Sequence, residues 1–336
     1  MLNSHLRPRA SCASRHFDRI HCMHVINKHV TKRLVRLASH VLPEARGLAL
    51  ERWRRGREEY WKYQRCDHVF ASYGKSGRTW VRAMLSRYFQ LACNIPENIL
   101  FGFDNYHNIN PAVPKIFFTH DNYLRTYTGN LDSKKDFYAK KTVLLARRPQ
   151  DVAVSQFFQW KHRMRPYKKA LNLYPSHGAD ISLYDFVMDE HQGLPHIIEF
   201  MNLWERELPK IRASLLLRYE DLRATPHSEL SRLVAFLGMQ PDAAAIADAV
   251  EFATVENLRK KEETNYFWRS GSRLKAADPS NPDSYKVRRA KVGGYRDYFD
   301  DQQLAEIDGL VAARLAPSFG YSETPAVTAP RDAVRD

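Results

Sequence analysis

The feature of this sequence that most constrains its fold is a short apolar strand that runs through a glycine turn into a helix. Residues 68–73 are mostly apolar or aromatic, as expected of a buried strand. Residues 74–77 read Gly-Lys-Ser-Gly, and apolar residues recur at helical spacing over 79–91. The backbone N–H groups of such a turn converge on one point, and the helix dipole adds positive potential there. The segment therefore predicts an anion site, to which Lys75 adds a full charge and Thr79 a hydroxyl.

Strands and helices continue to alternate along the rest of the chain. Three further apolar runs predict strands over 116–118, 142–146 and 214–218. Amphipathic helices are predicted over 151–160, 197–206, 228–238 and 302–315. This order predicts an α/β fold, in which a P-loop-type parallel β-sheet is flanked by helices on both faces. Residues 260–292 are polar and basic, and we expect them to form a long loop.

The charge of the chain is strongly positive and unevenly distributed. The 336 residues carry a formal net charge of +14, which favours an anionic partner, cofactor or substrate. Residues 1–65 hold 15 Lys and Arg against 5 Asp and Glu, an excess of ten. Because the remaining body is only mildly basic, we expect no specific nucleic-acid partner for it. The four cysteines form no CxxC pair, so a zinc site or a disulfide framework is not expected.

The chain divides by composition into three parts. They are a basic N-terminal extension over 1–65, an α/β domain over 66–320 and a tail over 321–336. The sequence contains no run of eighteen apolar residues, the length that a membrane-spanning helix needs. Because the spacing of the four cysteines also favours a reducing compartment, we expect a cytoplasmic protein, with peripheral contact to a membrane as an alternative.

That alternative depends on the basic extension. Apolar residues recur at helical spacing over 25–42, with Lys and Arg on the other sides, which predicts a basic amphipathic helix. Packing of this helix on the domain and contact of residues 24–42 with a membrane surface are both open. Residues 1–22 read either as a targeting leader or as sequence upstream of a true start at Met23.

A nucleoside-triphosphate site is one alternative for the glycine turn. Its loop has the form G-x-x-x-x-G-K-[ST], and with residues 74–76 at its end the first glycine would stand at position 69. That position is Val69, so the most diagnostic residue is missing. A P-loop kinase or ATPase is therefore the second function class. A non-enzymatic protein that binds nucleic acid or anionic membrane through residues 1–65 is the third.

The glycine turn resembles the 5′-phosphosulfate loop of the sulfotransferases that use 3′-phosphoadenosine 5′-phosphosulfate (PAPS). That loop is usually written P-K-S-G-T-T-W, and the matching residues here are Lys75, Ser76, Gly77, Thr79 and Trp80. Gly74 replaces the proline, and Arg78 replaces the first threonine. Arg78 keeps a cationic hydrogen-bond donor in the loop. The resemblance implies that residues 75–80 bind the 5′ end of PAPS and that Trp80 stacks on its adenine.

Two further segments resemble the donor-binding motifs of that family. Residues 146–155 resemble the 3′-phosphate segment R-[ND]-x-x-D-x-x-x-S, which implies that Arg147 and Ser155 bind this phosphate. A guanidinium fork with a hydroxyl suits a dianionic phosphate. Residues 218–222 resemble the Y-E-D-L segment, which implies that Tyr219 approaches the adenine.

A fourth segment follows in the expected order. Residues 287–295 resemble the late loop R-K-G-x-x-G-[DE]-W, which implies that Arg288, Arg289 and Ala290 belong to the donor site. Gly294 and Tyr295 replace the acidic residue and the tryptophan. Ala290 replaces a glycine, and alanine avoids the positive φ that glycine allows.

His120 is the predicted general base. It follows the apolar strand 116–118, and ligands of open α/β sheets bind at the carboxyl ends of strands. A neutral imidazole is suited to proton removal near pH 7. Residues 118–120 also resemble the family's K-T-H segment, with Phe118 in place of the lysine. His68 is a weaker alternative for the base, and Asp121 would either orient His120 or cap a turn.

The resemblance as a whole implies an in-line transfer of a sulfuryl group from PAPS to an acceptor hydroxyl. His120 would take the proton and Lys75 would stabilise the leaving group, with PAPS as co-substrate and no metal. The acceptor stays open between a small molecule, a saccharide and a lipid alcohol. Candidates for an acceptor cleft are the aromatic residues Phe157, Phe158, Trp160, Tyr167, Tyr174 and Tyr184, with Lys161, His162 and Arg163. Core packing by several of them is the alternative.

Overall fold

A computed structural model describes residues 42–270 and 274–321. The amphipathic helix predicted over residues 25–42 and the tail beyond residue 321 therefore lie outside the described residues, apart from Leu42 itself. Within this part of the chain, no helix is both long and apolar enough to cross a membrane.

Four parallel strands form the central sheet of the described part, in the order β2-β1-β3-β4. Their bounds are His68–Ser72 for β1, Ile116–Thr119 for β2, Lys141–Ala146 for β3 and Ala213–Arg218 for β4. Each predicted strand is thus present to within one residue at either end. β1 is buried at every position and pairs with both β2 and β3. Because the strands are parallel, the residues that follow them meet at one edge of the sheet.

Helices surround this sheet. In chain order their bounds are Glu44–Arg65 (α1), Arg78–Ala92 (α2), Leu124–Thr128 (α3), Pro149–His162 (α4), Pro166–Leu171 (α5), Leu183–Met188 (α6), Leu194–Glu207 (α7), Tyr219–Ala224 (α8), Pro226–Phe236 (α9), Ala243–Phe252 (α10), Val255–Glu263 (α11) and Asp301–Arg314 (α12). The helices predicted over 151–160, 197–206, 228–238 and 302–315 correspond to α4, α7, α9 and α12.

Two hydrophobic cores lie on opposite faces of the sheet. Successive strand residues point to opposite faces, so Phe70 packs with α2, α9 and α10, while Val69 and Ala71 pack with α4, α7 and α12. Both faces of the parallel sheet are therefore covered by helices. This arrangement confirms the predicted α/β fold.

The carboxyl-terminal half of α1 packs on the α/β body, which the sequence did not predict. The ring centroid of Trp61 lies 5.8 Å from that of Phe103, edge to face, and the Glu59 carboxylate accepts a hydrogen bond of 2.9 Å from the backbone N–H of Leu124. Frequent Arg and Glu residues in this helix obscure its apolar spacing.

The long loop predicted over residues 260–292 begins later than expected. Helix α11 continues to Glu263, and Thr254 caps its start by accepting a hydrogen bond of 3.4 Å from the N–H of Asn257. The predicted boundary was wrong because the helix ends in the charged run 260–263, which carries no apolar periodicity.

Candidate active site

The turn after β1 has the backbone geometry of an anion-binding loop. Lys75 and Gly77 both have left-handed backbone angles, with φ of 68° and 97°. Gly77 is the N-cap of α2, and a Cβ atom at this position would lie 2.7 Å from Cδ2 of Tyr219. Glycine is therefore required both by the backbone angle and by the neighbouring ring. The turn leads directly into the amino end of α2, where free N–H groups and the helix dipole favour an anion.

Cations from separate parts of the sequence gather around Lys75. Burial lowers the pKa of Lys75 to about 7, and the positive charges of Arg163, Arg147 and Arg288 lower this pKa as well, against the opposing charge of Glu262. Lys75, Arg147 and Arg288 come from three of the four resembling segments. The fold brings them within electrostatic reach of one another at the carboxyl edge of the sheet.

Arg147 lies between the glycine turn and the aromatic side of the site. Its Nη1 donates a hydrogen bond of 3.1 Å to the carbonyl oxygen of Lys75, and its guanidinium carbon lies 4.3 Å from the ring centroid of Tyr219. Its Nη2 is 3.8 Å from a carboxylate oxygen of Asp151. Its Nε is buried and has no hydrogen-bond partner among the described residues. A buried donor without a partner carries a free-energy cost that a bound anion would remove.

Trp80 and Tyr219 form an aromatic pair next to Arg147. Their ring centroids are 5.4 Å apart in an edge-to-face arrangement. The Trp80 indole N–H donates a hydrogen bond of 2.8 Å to the carbonyl of Ala253, which fixes the orientation of the ring. The Tyr219 hydroxyl lies 3.5 Å from the carbonyl oxygen of Ala290. Residues of three resembling segments thus adjoin here.

Two buried carboxylates fix the ends of residues 286–295, the anchored loop, which carries Arg288. Glu262 is fully buried and accepts hydrogen bonds from the backbone N–H groups of Lys286 at 2.7 Å and Val287 at 2.9 Å. Asp151 accepts from the N–H groups of Gly293 at 2.8 Å and Tyr295 at 3.0 Å. Because both anchors are buried, the loop between them has a defined position over α4 and α11.

The anchored loop places its three predicted site residues differently. The guanidinium of Arg288 lies 3.8 Å from the ring centroid of Phe158 and adds to the field around Lys75. Arg289 lies at the surface and forms an ion pair of 2.6 Å with Asp297. Ala290 has a φ of 50°, in the left-handed region that glycine prefers. The loop therefore keeps the backbone conformation expected of a glycine at this position.

The hydroxyl residues of the predicted donor site lie in the turn after β1 and on the helices α2 and α4. Ser76 is buried in the turn, and Thr79 is half-buried in the first turn of α2. Ser155 is half-buried on α4, four residues after Asp151 and so on the same face of that helix. Ser155 therefore lies on the side of α4 that carries the contact to Arg147.

The hydrogen bonds of His120 define its tautomer. Its Nδ1 is 2.9 Å from the carbonyl oxygen of Ser72, and because a carbonyl only accepts, Nδ1 carries the hydrogen. The Nε2 lone pair accepts a hydrogen bond of 2.6 Å from Nη2 of Arg78. His120 is therefore oriented as a neutral imidazole whose basic atom is Nε2.

The surroundings of His120 keep the ring neutral. Burial holds the pKa of His120 well below its usual value, and the charge of Arg78 lowers it further. Lys168 and Lys286 act in the same direction, while the hydrogen bond to Ser72 opposes them. The imidazole is thus neutral throughout the neutral pH range.

Asp121 forms a buried ion pair instead of orienting His120. Its carboxylate pairs with Lys134, and both side chains are 1% exposed. Its backbone N–H donates a hydrogen bond of 2.8 Å to the Thr119 hydroxyl, and its φ is 54°. Of the two roles considered for Asp121, the structure favours the turn.

A second carboxyl group lies near Asp121. Burial raises the pKa of this group, Glu59 on α1, to about 7.

The predicted acceptor residues do not form one group. Phe157 and Trp160 are buried in a small core with Phe186. Tyr184 donates a hydrogen bond to Glu306 on α12, and Tyr167 is exposed. Tyr174 packs at the rim of that core, and Lys161 lies over the ring of Phe157. Phe158 and His162 stack on each other near Arg288. Arg163 is one of the cations around Lys75.

His68, the weaker alternative for the base, begins β1 at the opposite edge of the sheet, where it packs against Phe236. Sequence reasoning missed Glu262 and Lys134, which stand in charged stretches without a recognisable pattern. In residues 42–270 and 274–321, no three His, Cys, Asp or Glu side chains are grouped as metal ligands.

The arrangement of the four segments agrees with a comparison to known proteins. Residues 65–319 match the sulfotransferase domain family. The chain belongs to this family. It is a transferase of the sulfotransferase class, as the four ordered segments predicted, and the kinase and basic-binder alternatives are set aside.

Relatives and solved structures of this family are distant but cover most of the chain. Cytosolic sulfotransferase 3 of Arabidopsis thaliana is 23% identical over 278 residues, which cover 78% of this chain and 80% of the relative. Flavonol 4′-sulfotransferase of Flaveria chlorifolia is 27% identical over 274 residues, which cover 75% and 80%. The mouse sulfotransferase SULT7A1, solved in complex with PAP, has a TM-score of 0.50 at 20% identity and covers 74% of this chain and 84% of its own. This likeness supports a shared fold.

Proposed function

We propose that this sulfotransferase takes its sulfuryl group from PAPS and transfers it to an acceptor hydroxyl, with His120 as the general base. The observation that carries the proposal is the convergence of Lys75, Arg147 and Arg288 on one site next to Trp80 and Tyr219. The mouse neighbour was solved with PAP, the nucleotide product of PAPS, which is consistent with this donor.

The residues present fit a nucleotide with anions at both ends. Lys75, Ser76, Thr79 and the turn amides would hold the 5′ end, where the helix dipole also favours negative charge. Arg147, whose buried Nε has no hydrogen-bond partner in the described part of the chain, would hold the 3′-phosphate together with Ser155 and Arg288. Trp80 and Tyr219 would contact the adenine through their faces and edges. Arg289 has the weakest support, since Asp297 already neutralises it.

The chemistry requires alignment and charge stabilisation more than covalent help from the protein. His120 accepts the acceptor's hydroxyl proton at Nε2 while the acceptor oxygen forms its bond to sulfur. The bond between sulfur and the bridging oxygen breaks, and its electron pair goes to the 5′-phosphate. Lys75 and the turn amides stabilise the charge that grows on that oxygen.

The acceptor that we favour is a small molecule with a hydroxyl group. Two of the relatives are flavonol sulfotransferases, whose acceptors are small phenols by name. Several relatives are named cytosolic, which supports a cytoplasmic location for this chain as well. Membrane contact through residues 24–42 stays a prediction on the sequence.

Nucleotide binding tests the proposed donor. Adenosine 3′,5′-bisphosphate (PAP) is expected to raise the melting temperature, because a ligand at a hundred times its Kd stabilises the folded state by about 2.7 kcal/mol. Adenosine 5′-phosphate lacks the 3′-phosphate and should bind more weakly. Stabilisation by ATP with Mg²⁺ but not by PAP would overturn the proposal.

A serine variant tests the 3′-phosphate assignment. Ser155→Ala should weaken PAP more than adenosine 5′-phosphate, because the lost hydroxyl is assigned to the 3′ end. Ser176→Ala, in an exposed loop, is the matched control and should change neither affinity. An equal loss for both nucleotides in Ser155→Ala would contradict the assignment.

A further inference from the structure

Arg78 connects the donor loop to the general base. It is the first residue of α2, directly after Gly77, where the turn amides and the helix dipole favour an anion. Its Nη2 nevertheless donates a hydrogen bond of 2.6 Å to Nε2 of His120, which follows the neighbouring strand β2. One side chain thus spans the two functional halves of the site.

This contact is incompatible with the role proposed for His120. The Nδ1–H donates to Ser72, so Nε2 carries the only lone pair of the ring. A general base must offer that lone pair to the acceptor's proton. An arginine is never deprotonated in proteins, so the guanidinium blocks the lone pair without serving as an acid. In this structure the guanidinium of Arg78 therefore covers the lone pair of the proposed base.

We propose that Arg78 is a positioning residue that covers His120 in the ligand-free protein and uncovers it when the oxyanions of the bound sulfuryl donor draw the guanidinium away. The inference rests on the proposed donor and extends it to a coupling between donor binding and the availability of the base. The resulting state leaves Nε2 free for the acceptor hydroxyl.

Arg78 is expected to leave His120 for the bound donor because its hydrogen bonds to oxyanions are stronger than its bond to a neutral imidazole. A guanidinium forms charge-assisted and often bidentate bonds to phosphate and sulfate oxygens, which are about twice as strong as bonds between neutral partners. The bond to His120 has a neutral acceptor and a single donor atom. The position of Arg78 in the donor loop makes the donor the nearest source of an oxyanion.

The other charged groups near His120 do not replace this effect. Lys168 and Lys286 act on the imidazole as further cations, and they lie on α5 and on the anchored loop. The carboxylate next in sequence, Asp121, is neutralised by Lys134. Glu59, on α1, accepts a hydrogen bond from the Leu124 N–H.

Nitrogen NMR of the full chain labelled with ¹⁵N-histidine tests the proposal directly. His120 is assigned by its loss in His120→Asn. In the ligand-free wild type, Nε2 should resonate as a nitrogen that accepts a hydrogen bond. Addition of PAPS without acceptor should shift the resonance toward that of an unbonded imidazole nitrogen. Arg78→Thr should show the shifted position without any ligand.

A second readout separates coupling from a merely structural role. Arg78→Thr should raise the pKa of His120 in the ligand-free protein toward its usual value, because a cation beside the ring is removed. Arg87→Thr is the matched control, since Arg87 lies on the same helix but pairs with Asp248. It should leave the resonance and the pKa of His120 unchanged. If Arg78→Thr fails to fold, Arg78→Lys, which lacks the planar fork, should give an intermediate shift.

Three results would overturn the proposal. The first is an unchanged His120 resonance in the wild type when calorimetry shows that PAPS is bound. The second is an uncovered Nε2 in the ligand-free wild type. The third is a shift that 4-hydroxybenzoate produces alone while PAPS does not, which would assign the displacing anion to an acidic acceptor. A failure of PAPS to bind would instead remove the proposed donor, and the comparison of ligand-free wild type with Arg78→Thr would still decide whether Arg78 covers the base.

Discussion

The turn after β1 and the turn after β2 lie side by side at the same edge of the sheet but differ in net charge. The first turn carries an excess of positive charge, whereas the charges at the second are paired. Among residues 42–270 and 274–321, the cations around Lys75 outnumber the carboxylates, and the buried Nε of Arg147 has no hydrogen-bond partner. After β2, the Asp121 charge is paired inside the protein with Lys134, and His120 is held neutral. The first turn is thus suited to bind an anion, and the second is suited to accept a proton at His120.

Replacing the base should give the largest effect on activity. His120→Gln is expected to lower kcat by about 10²–10⁴-fold while PAP binding is retained, since the imidazole is assigned to proton removal alone. Steady-state rates and calorimetry of PAP measure the two quantities. His177→Gln, at an exposed site, is the control. An unchanged kcat in His120→Gln would remove this residue from the mechanism.

Breaking the buried ion pair should affect stability instead of donor binding. Lys134→Met leaves the Asp121 carboxylate buried without its partner, which typically costs about 3–5 kcal/mol in free energy of unfolding. Urea denaturation measures the loss. The double change Lys134→Met with Asp121→Asn should recover part of it, because Asn also tolerates the left-handed backbone at this position. No recovery would show that the pair is not the source of the loss.

Removing the lysine of the first turn should weaken the transition state. Lys75→Ala is expected to cost about 3 kcal/mol in kcat/KM, the usual value for a donor that stabilises developing charge. Lys62→Ala, which removes a lysine from a half-buried pair with Glu58, is the control. Near-normal activity of Lys75→Ala would mean that the leaving group is stabilised by other residues.

Binding of PAP should depend on pH through Lys75. Because its pKa lies at about 7, the Lys75 side chain is about half neutral at pH 7 and mostly neutral at pH 8. A bound phosphate raises this pKa, so PAP binding should take up close to one proton at pH 8 and almost none at pH 6, and affinity should fall as pH rises through 7. Calorimetry in buffers of different ionisation enthalpy measures the uptake. Lys75→Met should abolish it, and an uptake that persists there would assign the proton elsewhere.

The smallest effect concerns the backbone of the anchored loop. Ala290→Gly relieves a left-handed conformation that costs an alanine about 1–2 kcal/mol, although glycine also gains entropy in the unfolded chain. We expect a net gain in stability of at most about 1 kcal/mol, measured by thermal denaturation. Ala305→Gly, at an exposed position in the interior of α12, should lower stability instead. A loss of stability in Ala290→Gly would contradict the strain.

The sequence predicted the parts of the molecule that follow local rules. The strands could be predicted because buried parallel strands are short apolar runs. The glycine turn could be predicted because its left-handed backbone conformation favours glycine. The pairing of Asp121 with Lys134 and the anchoring of residues 286–287 by Glu262 were not found. Contacts between side chains distant in the sequence leave no periodic signal, so only the folded chain reveals them.

A crystal structure of the protein with bound PAP tests the central claim most directly. We predict the 5′-phosphate within hydrogen-bond distance of the Lys75 ammonium and the turn amides, and the 3′-phosphate on the guanidinium of Arg147, with the adenine at Trp80. Phosphates bound away from Lys75 and Arg147, or on two unconnected surfaces, would contradict the account.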